Sequence, residues 1–248
     1  MAAGADAKDD LPFPQLVTLH VLPGAVQMGA YAVFAPLLLR AGAPRTLAFL
    51  AAVSLAGLPC MVAVLFWARR RRSLGQSPLR PVVGNREPMP VWQYAVLFVP
   101  LLAVAFGLLF ATAPLNRFLA GEVFSWLPGY LQPEWQPPAP PARALVLLGL
   151  ALQVVIDGIA APVTEEVYFR GFLLPRMRSF GWLAPAANAL LFALQHFWQP
   201  YNWALIFLLS LSLAYVVWWK RNIYIGMLLH CSANTIGAVL SLIGFLAS

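Results

Sequence analysis

Apolar residues in this chain come in long runs, without the strict alternation of a half-buried strand or the single apolar stripe of a soluble helix. A helix needs ~20 mostly apolar residues to cross the hydrocarbon core of a bilayer. The pattern predicts spans over 16–39, 46–67 and 91–112 in the first half, and over 144–161, 182–198, 203–219 and 223–246 in the second. The fold class expected is all-α: a polytopic membrane helix bundle of about seven spans, within a range of six to eight because the fifth and sixth runs are short. Pro23, Gly24 and Pro36 fall inside the first run, where a membrane helix tolerates them better than a soluble one.

Composition agrees with this pattern. Of 248 residues, 61% are hydrophobic and 10% charged, and the mean hydropathy is +0.75. Soluble chains carry about a quarter charged residues, so a soluble globular protein is excluded. Cys60 and Cys231 each lie in an apolar run and show no ligand spacing; they read as small buried hydrophobes. His20 reads as a hydrogen-bonded group near the interface. The segment before the first run carries Asp6, Lys8, Asp9 and Asp10, and the run itself is too long for a cleaved leader, so it reads as a retained span. No C-terminal lipidation motif is seen.

The net charge of +7 does not point to nucleic acid. The basic residues flank apolar runs, where they set topology and meet anionic headgroups. Arg69, Arg70, Arg71, Arg72, Arg80 and Arg86 make the loop 68–90 cytoplasmic by the positive-inside rule. Arg170, Arg176, Arg178, Lys220 and Arg221 fall on the same side, with the N-terminus in and the C-terminus out. Between the halves, 116–131 mixes apolar and polar residues and is expected to lie flat at the interface. The Pro-rich piece 133–141 is expected to be a stiff linker. The chain therefore divides into a three-span region, 1–112, a Pro- and Trp-rich interfacial linker, 113–142, and a membrane core, 143–248. No internal repeat is visible, which weakens a transporter reading.

The polar residues that bear chemistry lie in the last four spans. They are Asp157, Glu165, Glu166, Arg170, His196 and His230, in the company of Asn188, Gln195, Ser232 and Asn234. Placing ionisable groups among lipid-facing helices is costly and marks function. Glu166 and Arg170 are four apart and share a helix face, so they can form an ion pair. Glu165 is turned about 100° away and is left without that partner. His230 and Asn234 share a face on the last span, and His196 follows Phe192 by four. A carboxylate in an apolar pocket is a strengthened base. His230 and Asn234 supply hydrogen-bond donors that suit an oxyanion. Together these groups suit water attack on an amide without a Ser or Cys nucleophile. The alternative is zinc held by Glu165, His196 and His230 with an open position, although no HExxH is present.

Glu165-Glu166-x-x-x-Arg170, Phe192-x-x-x-His196 and His230-x-x-x-Asn234, in that order on separate apolar helices, resemble the three motifs of the CPBP (ABI) intramembrane protease family, which includes the type II CAAX prenyl endopeptidases. Ala161-Pro162 and Phe169-Arg170-Gly171 fit the same pattern. The resemblance covers about 143–246. It implies a glutamate-dependent protease built around a water-filled cavity, with Glu165 as general base, His196 aiding water activation, His230 and Asn234 as oxyanion hole, and Glu166 and Arg170 supporting the site. It implies no cofactor, with zinc as the alternative. The partners implied are a membrane-anchored protein or peptide substrate and the lipid bilayer. The Ala-, Pro- and Arg-rich composition points to a bacterium, and hence to the inner membrane.

One conflict is inherent in this scheme. If the fifth span ran the full width from Trp182, His196 would sit ~20 Å along it, away from Glu165 and His230. The fifth span must be short, tilted or broken for the three motifs to meet.

Overall fold

The computed structural model describes residues 10–73 and 82–247. Among the described residues, six helices are long and apolar enough to cross a membrane, and a seventh, shorter one completes the bundle. We number them α1 (Phe13–Arg40), α2 (Arg45–Arg70), α3 (Val91–Val123), α4 (Arg143–Arg176), α5 (Ala184–Leu194), α6 (Pro200–Lys220) and α7 (Ile223–Leu246). Much of the outer surface is apolar, with Val91, Phe110, Ile159 and Leu240 among the exposed side chains, as a bilayer-facing surface requires. Part of the expected basic loop, 74–81, lies outside the described residues.

Two ends of the bundle are defined by contacts between connections. At one end, the backbone N–H of Leu11 donates to Arg176 O, that of Gly84 to Gly171 O, and that of Ile223 to Asn85 O. The N-terminal segment, the stretch 82–89 and the α6–α7 turn therefore share this end with Arg176 and Arg178. At the other end, Arg45 donates to Gln132 O, Tyr201 to Leu131 O, and Tyr31 packs edge-on against Tyr130. The long connection after α3 closes over this second end.

Several expected boundaries move. The third span does not stop near Thr112; α3 continues to Phe118 and ends in a π-turn through Val123, so the first half of the stretch expected to lie flat belongs to the helix. Likewise, the glutamate motif does not follow a span that ends at Ala161 but continues it. It lies inside α4, which carries two wide π-turned stretches, Ile156–Ala160 and Glu166–Leu173. Widened turns of this kind are rare and concentrate at functional sites.

The fifth span is short. Helix α5 has 11 residues, ~16 Å at 1.5 Å per residue, about half the hydrocarbon thickness. It stops because the next residues change the bonding: the His196 N–H bonds Ala193 O, while the Phe192 carbonyl accepts from the His196 ring. The turn 195–202 that follows is buried, with Gln195, His196, Pro200 and Tyr201 all shielded. Irregular backbone at membrane depth is allowed only where protein covers it. Here α1 supplies the cover. A methyl group at Gly24 would lie 1.9 Å from Gln195 O, so the absence of a side chain at Gly24 is what lets the turn approach α1.

His20 is not interfacial. It is fully buried, with Nδ1 bonded to Leu16 O at 2.9 Å and Nε2 3.0 Å from Asn188 Nδ2. A carbonyl only accepts, so Nδ1 carries the proton and Nε2 accepts from Asn188. The same Asn188 amide lies 3.0 Å from Phe169 O. One asparagine thus ties α1, α4 and α5 together.

Candidate active site

The motif residues meet at the centre of the bundle, around a cavity of about 600 Å³ lined by Glu165, Arg170, His196, His230 and Asn234 among others. The two adjacent glutamates have different surroundings. Glu166 is fully buried; its Oε1 lies 3.2 Å from Arg170 Nη1 and 3.0 Å from His230 Nδ1. Gly226 on α7 leaves the room, since a side chain there would lie 2.7 Å from Glu166 Oε2. Glu165 keeps 15% of its side chain exposed to the cavity, and its Oε2 lies 3.8 Å from His230 Nε2. The expected ion pair of Glu166 with Arg170 is present, and Glu166 additionally holds His230.

Arg170 is buried and held by a second helix and a ring. Its Nη2 donates to Ser210 Oγ on α6, and its guanidinium stacks over the Phe192 ring, 4.1 Å from the centroid. Phe192 in turn contacts the rings of His196 at 4.9 Å and His230 at 6.2 Å. The aromatic residue of the second motif is therefore a packing hub between α4, α5 and α7.

Each histidine has a defined proton on one nitrogen. His196 Nδ1 lies 2.7 Å from Phe192 O, so it donates and leaves Nε2 as an acceptor. Trp203 Nε1 fixes the turn by donating to His196 O at 3.2 Å. His230 Nδ1 donates to Glu166, leaving Nε2 beside Glu165.

Asn234 is positioned by a proline on another helix. Within the first π-turn of α4, the Ala161 N–H bonds Ile156 O, five residues back. The next residue, Pro162, has no N–H to offer. The carbonyls of Asp157 and Gly158 accept from α7 instead: Asn234 Nδ2 donates to Asp157 O at 3.0 Å, and Thr235 Oγ1 to Gly158 O at 3.2 Å. The Asn234 amide retains a second N–H on the cavity wall. Gly158 lets α7 approach, since a Cβ there would lie 2.8 Å from Thr235 Oγ1.

Among the described residues, no three His, Cys, Asp or Glu side chains converge in a way that would hold a metal ion. Glu165, His196 and His230 line one cavity without forming such a set.

The family model of the Rce1-like type II CAAX prenyl endopeptidases matches residues 147–236. This stretch, here called the Rce1-like domain, is similar to that family. It holds all three motifs and ends just past Asn234, while α1 to α3 lie outside it. No curated protein and no solved structure matches the chain. The protein is an integral membrane protein, and its residues 147–236 are similar to this protease family.

The cavity is not lined by the Rce1-like domain alone. Gln27, Tyr31, Arg45 and Phe49 line it from α1 and α2, and Tyr130 from the connection after α3. Sequence reading assigned the chemistry to 143–246 and passed over these residues. The one available signal was Arg45, a lone cation at the start of an apolar run, and it reads equally well as a topology marker.

Proposed function

We propose that the protein is an intramembrane endopeptidase that hydrolyses a peptide bond in a membrane-associated protein or C-terminal tail, using water activated by Glu165. One observation carries this reading: of two adjacent glutamates, Glu166 is consumed by Arg170 and His230, while Glu165 faces the cavity. A carboxylate committed to structure and a second one open to water is the division that general-base hydrolysis needs.

In the proposed reaction, Glu165 removes a proton from a water molecule, and the lone pair on His196 Nε2 accepts a hydrogen bond from the same water. The hydroxide attacks the carbonyl carbon, and the negative charge moves to the carbonyl oxygen. Asn234 donates its second N–H to that oxygen. His230 adds a donor from Nε2 when both its ring nitrogens carry protons, because Nδ1 is committed to Glu166. Collapse breaks the C–N bond, and the proton held by Glu165 passes to the leaving amine. No step runs through a metal. The bilayer delivers the substrate, and the apolar face of the bundle receives it.

We place the protein in a bacterial cytoplasmic membrane, with the end bearing Arg176, Arg178, Lys220 and Arg221 inside. The decisive experiment measures cleavage of a membrane-tail substrate by purified protein in detergent. Glu165→Ala is expected to abolish cleavage while the variant keeps its helical content and monodisperse elution. Full activity in that variant ends the proposal.

A further inference from the structure

One carboxylate on the cavity wall takes no part in the proposed reaction. Asp157 lies near the middle of α4, in the first π-turn, and lines the cavity together with Gln153. Asp157 and Glu165 are the carboxylates on that wall, and their circumstances differ. Glu165 has His230 Nε2 at 3.8 Å. Asp157 has no ion-pair partner among the described residues. The arginines on the wall are engaged elsewhere, Arg170 with Glu166 and Arg45 with Gln132 O. Among the described residues the Asp157 carboxylate has one bond, from Gln153 Nε2 to Oδ2 at 3.5 Å; Oδ1 has none and is not sealed in the core. A carboxylate at membrane depth is costly unless it meets water or a partner.

The chemistry of this corner is one-sided. An ionised carboxylate accepts at about four positions and donates nothing. Gln153 turns an N–H toward it, which leaves the Gln153 carbonyl oxygen as a further acceptor. Acceptors around one negative charge are complementary to a donor-rich cation, an ammonium or a guanidinium. The backbone fixes where this corner stands relative to the reacting bond. Asn234 Nδ2, the proposed oxyanion donor, lies 3.0 Å from the carbonyl oxygen of Asp157 itself. At ~1.2–1.5 Å per bond, the carboxylate of the same residue lies within ~8 Å of that amide. A lysine side chain spans ~6 Å from Cα to Nζ by the same bond lengths. The cation that reaches Asp157 is then carried by a residue next to the polarised carbonyl.

We infer that Asp157, with Gln153, binds a lysine or arginine side chain of the substrate at a residue flanking the cleaved bond. The position relative to the cut rests on the proposed protease reading; binding of the cation does not. Asp157 and Gln153 belong to none of the three motifs, so the inference assigns selection of the substrate to residues other than those proposed to hydrolyse it. The chain's net charge of +7 repels basic peptides in general, so a preference for them has to be local.

The test uses palmitoylated octapeptide libraries with one lysine at each position in turn, each matched by the same library with that lysine acetylated. Binding is read on the Glu165→Gln protein in neutral-lipid nanodiscs, which leaves Asp157 as the carboxylate of the wall. Cleavage is read on the parent protein by product mass. With lysine at the preferred position, binding is expected to be roughly ten- to hundredfold tighter than for the acetylated match, the gain of hydrogen bonds to a charged group. Asp157→Asn in the same background is expected to erase this preference, and Gln153→Leu to reduce it. Should Asp157→Asn not fold, Asp157→Glu serves in its place, and the preference is expected to move from lysine to ornithine, whose chain is one methylene shorter. Equal binding of charged and acetylated peptides, including failure to bind either, overturns the inference, as does a preference that survives Asp157→Asn. A preferred lysine that is not next to the cut overturns it too. Loss of kcat on acetylated peptides in Asp157→Ala but not in Asp157→Asn, without a lysine preference in the parent, overturns it in favour of a protonated Asp157 that donates to the oxyanion. Lysine-selective binding without cleavage leaves the inference standing and removes the protease reading; cleavage indifferent to the charge does the reverse.

Discussion

Glu166 Oε1 stands 3.0 Å from His230 Nδ1 and 3.2 Å from Arg170 Nη1, so a single buried oxygen joins α4 to α7 and neutralises the arginine that reaches α6. Its neighbour Glu165 is thereby left to the cavity.

Removing one member of this pair leaves a buried charge uncompensated. Glu166→Gln is expected to destabilise the fold by about 3–5 kcal/mol, because Arg170 then loses its ion-pair partner in the core. Pairing it with Arg170→Met removes both charges and is expected to recover much of the loss, as a double-mutant cycle separates the pair from its parts. Thermal unfolding of the four proteins in one detergent checks this. Additive losses would show that the pair contributes no coupling. Activity is expected to stay low in the double variant, since His230 Nδ1 then has a neutral amide in place of a carboxylate as its partner.

Pro162 acts on Asn234 across a helix interface. Pro162→Ala restores an N–H that competes for the carbonyls now bonded to Asn234 and Thr235. The expected result is a kcat lower by about ten- to a hundredfold from misplacement of the donor, with stability unchanged or raised because alanine favours helix. A fall in stability with full kcat would contradict the account.

Asn234→Ala removes the proposed oxyanion donor itself. A loss of ~10²–10³ in kcat with little change in KM is expected, as for other oxyanion-hole donors. Steady-state kinetics on one fluorogenic tail peptide measures both. An effect confined to KM would reassign Asn234 to ground-state binding.

Two glycines on α1 give opposite expectations. Gly24→Ala drives a methyl into the Gln195 carbonyl, and the turn that carries His196 must shift. Overpacking of this kind costs typically ~1–3 kcal/mol, and activity is expected to fall with it. Gly29 has nothing within 4 Å of its missing Cβ. Gly29→Ala is therefore expected to be neutral or stabilising by up to ~1 kcal/mol. Equal behaviour of the two variants would mean that α1 does not support the buried turn.

Chelation addresses the zinc alternative. With no three ligands converging among the described residues, 1,10-phenanthroline is expected to leave the hydrolysis rate unchanged. Inhibition reversed by added zinc would replace the glutamate-water scheme with a metal one.

The apolar runs determined the all-α membrane class, because a backbone in hydrocarbon must satisfy its own hydrogen bonds within each segment. Spacing of four residues determined the Glu166–Arg170 pair, because the helix repeat brings such positions together whatever surrounds them. These are local properties, and the chain states them directly. The length of α5 was legible only as a conflict. Its resolution depends on Gly24 of α1 meeting Gln195 at a distance no sequence pattern records. The tie between Pro162 and Asn234 spans two helices, and so does the tie of Glu166 to His230. Arg45 belongs to no motif, and only the folded chain places it on the wall of the cavity. What tertiary structure alone decided, then, was which groups are already bonded and which remain open to a substrate. The reason is physical: a side chain's chemistry in a membrane core depends on the partners that packing brings within 3–4 Å, and those partners come from distant parts of the chain.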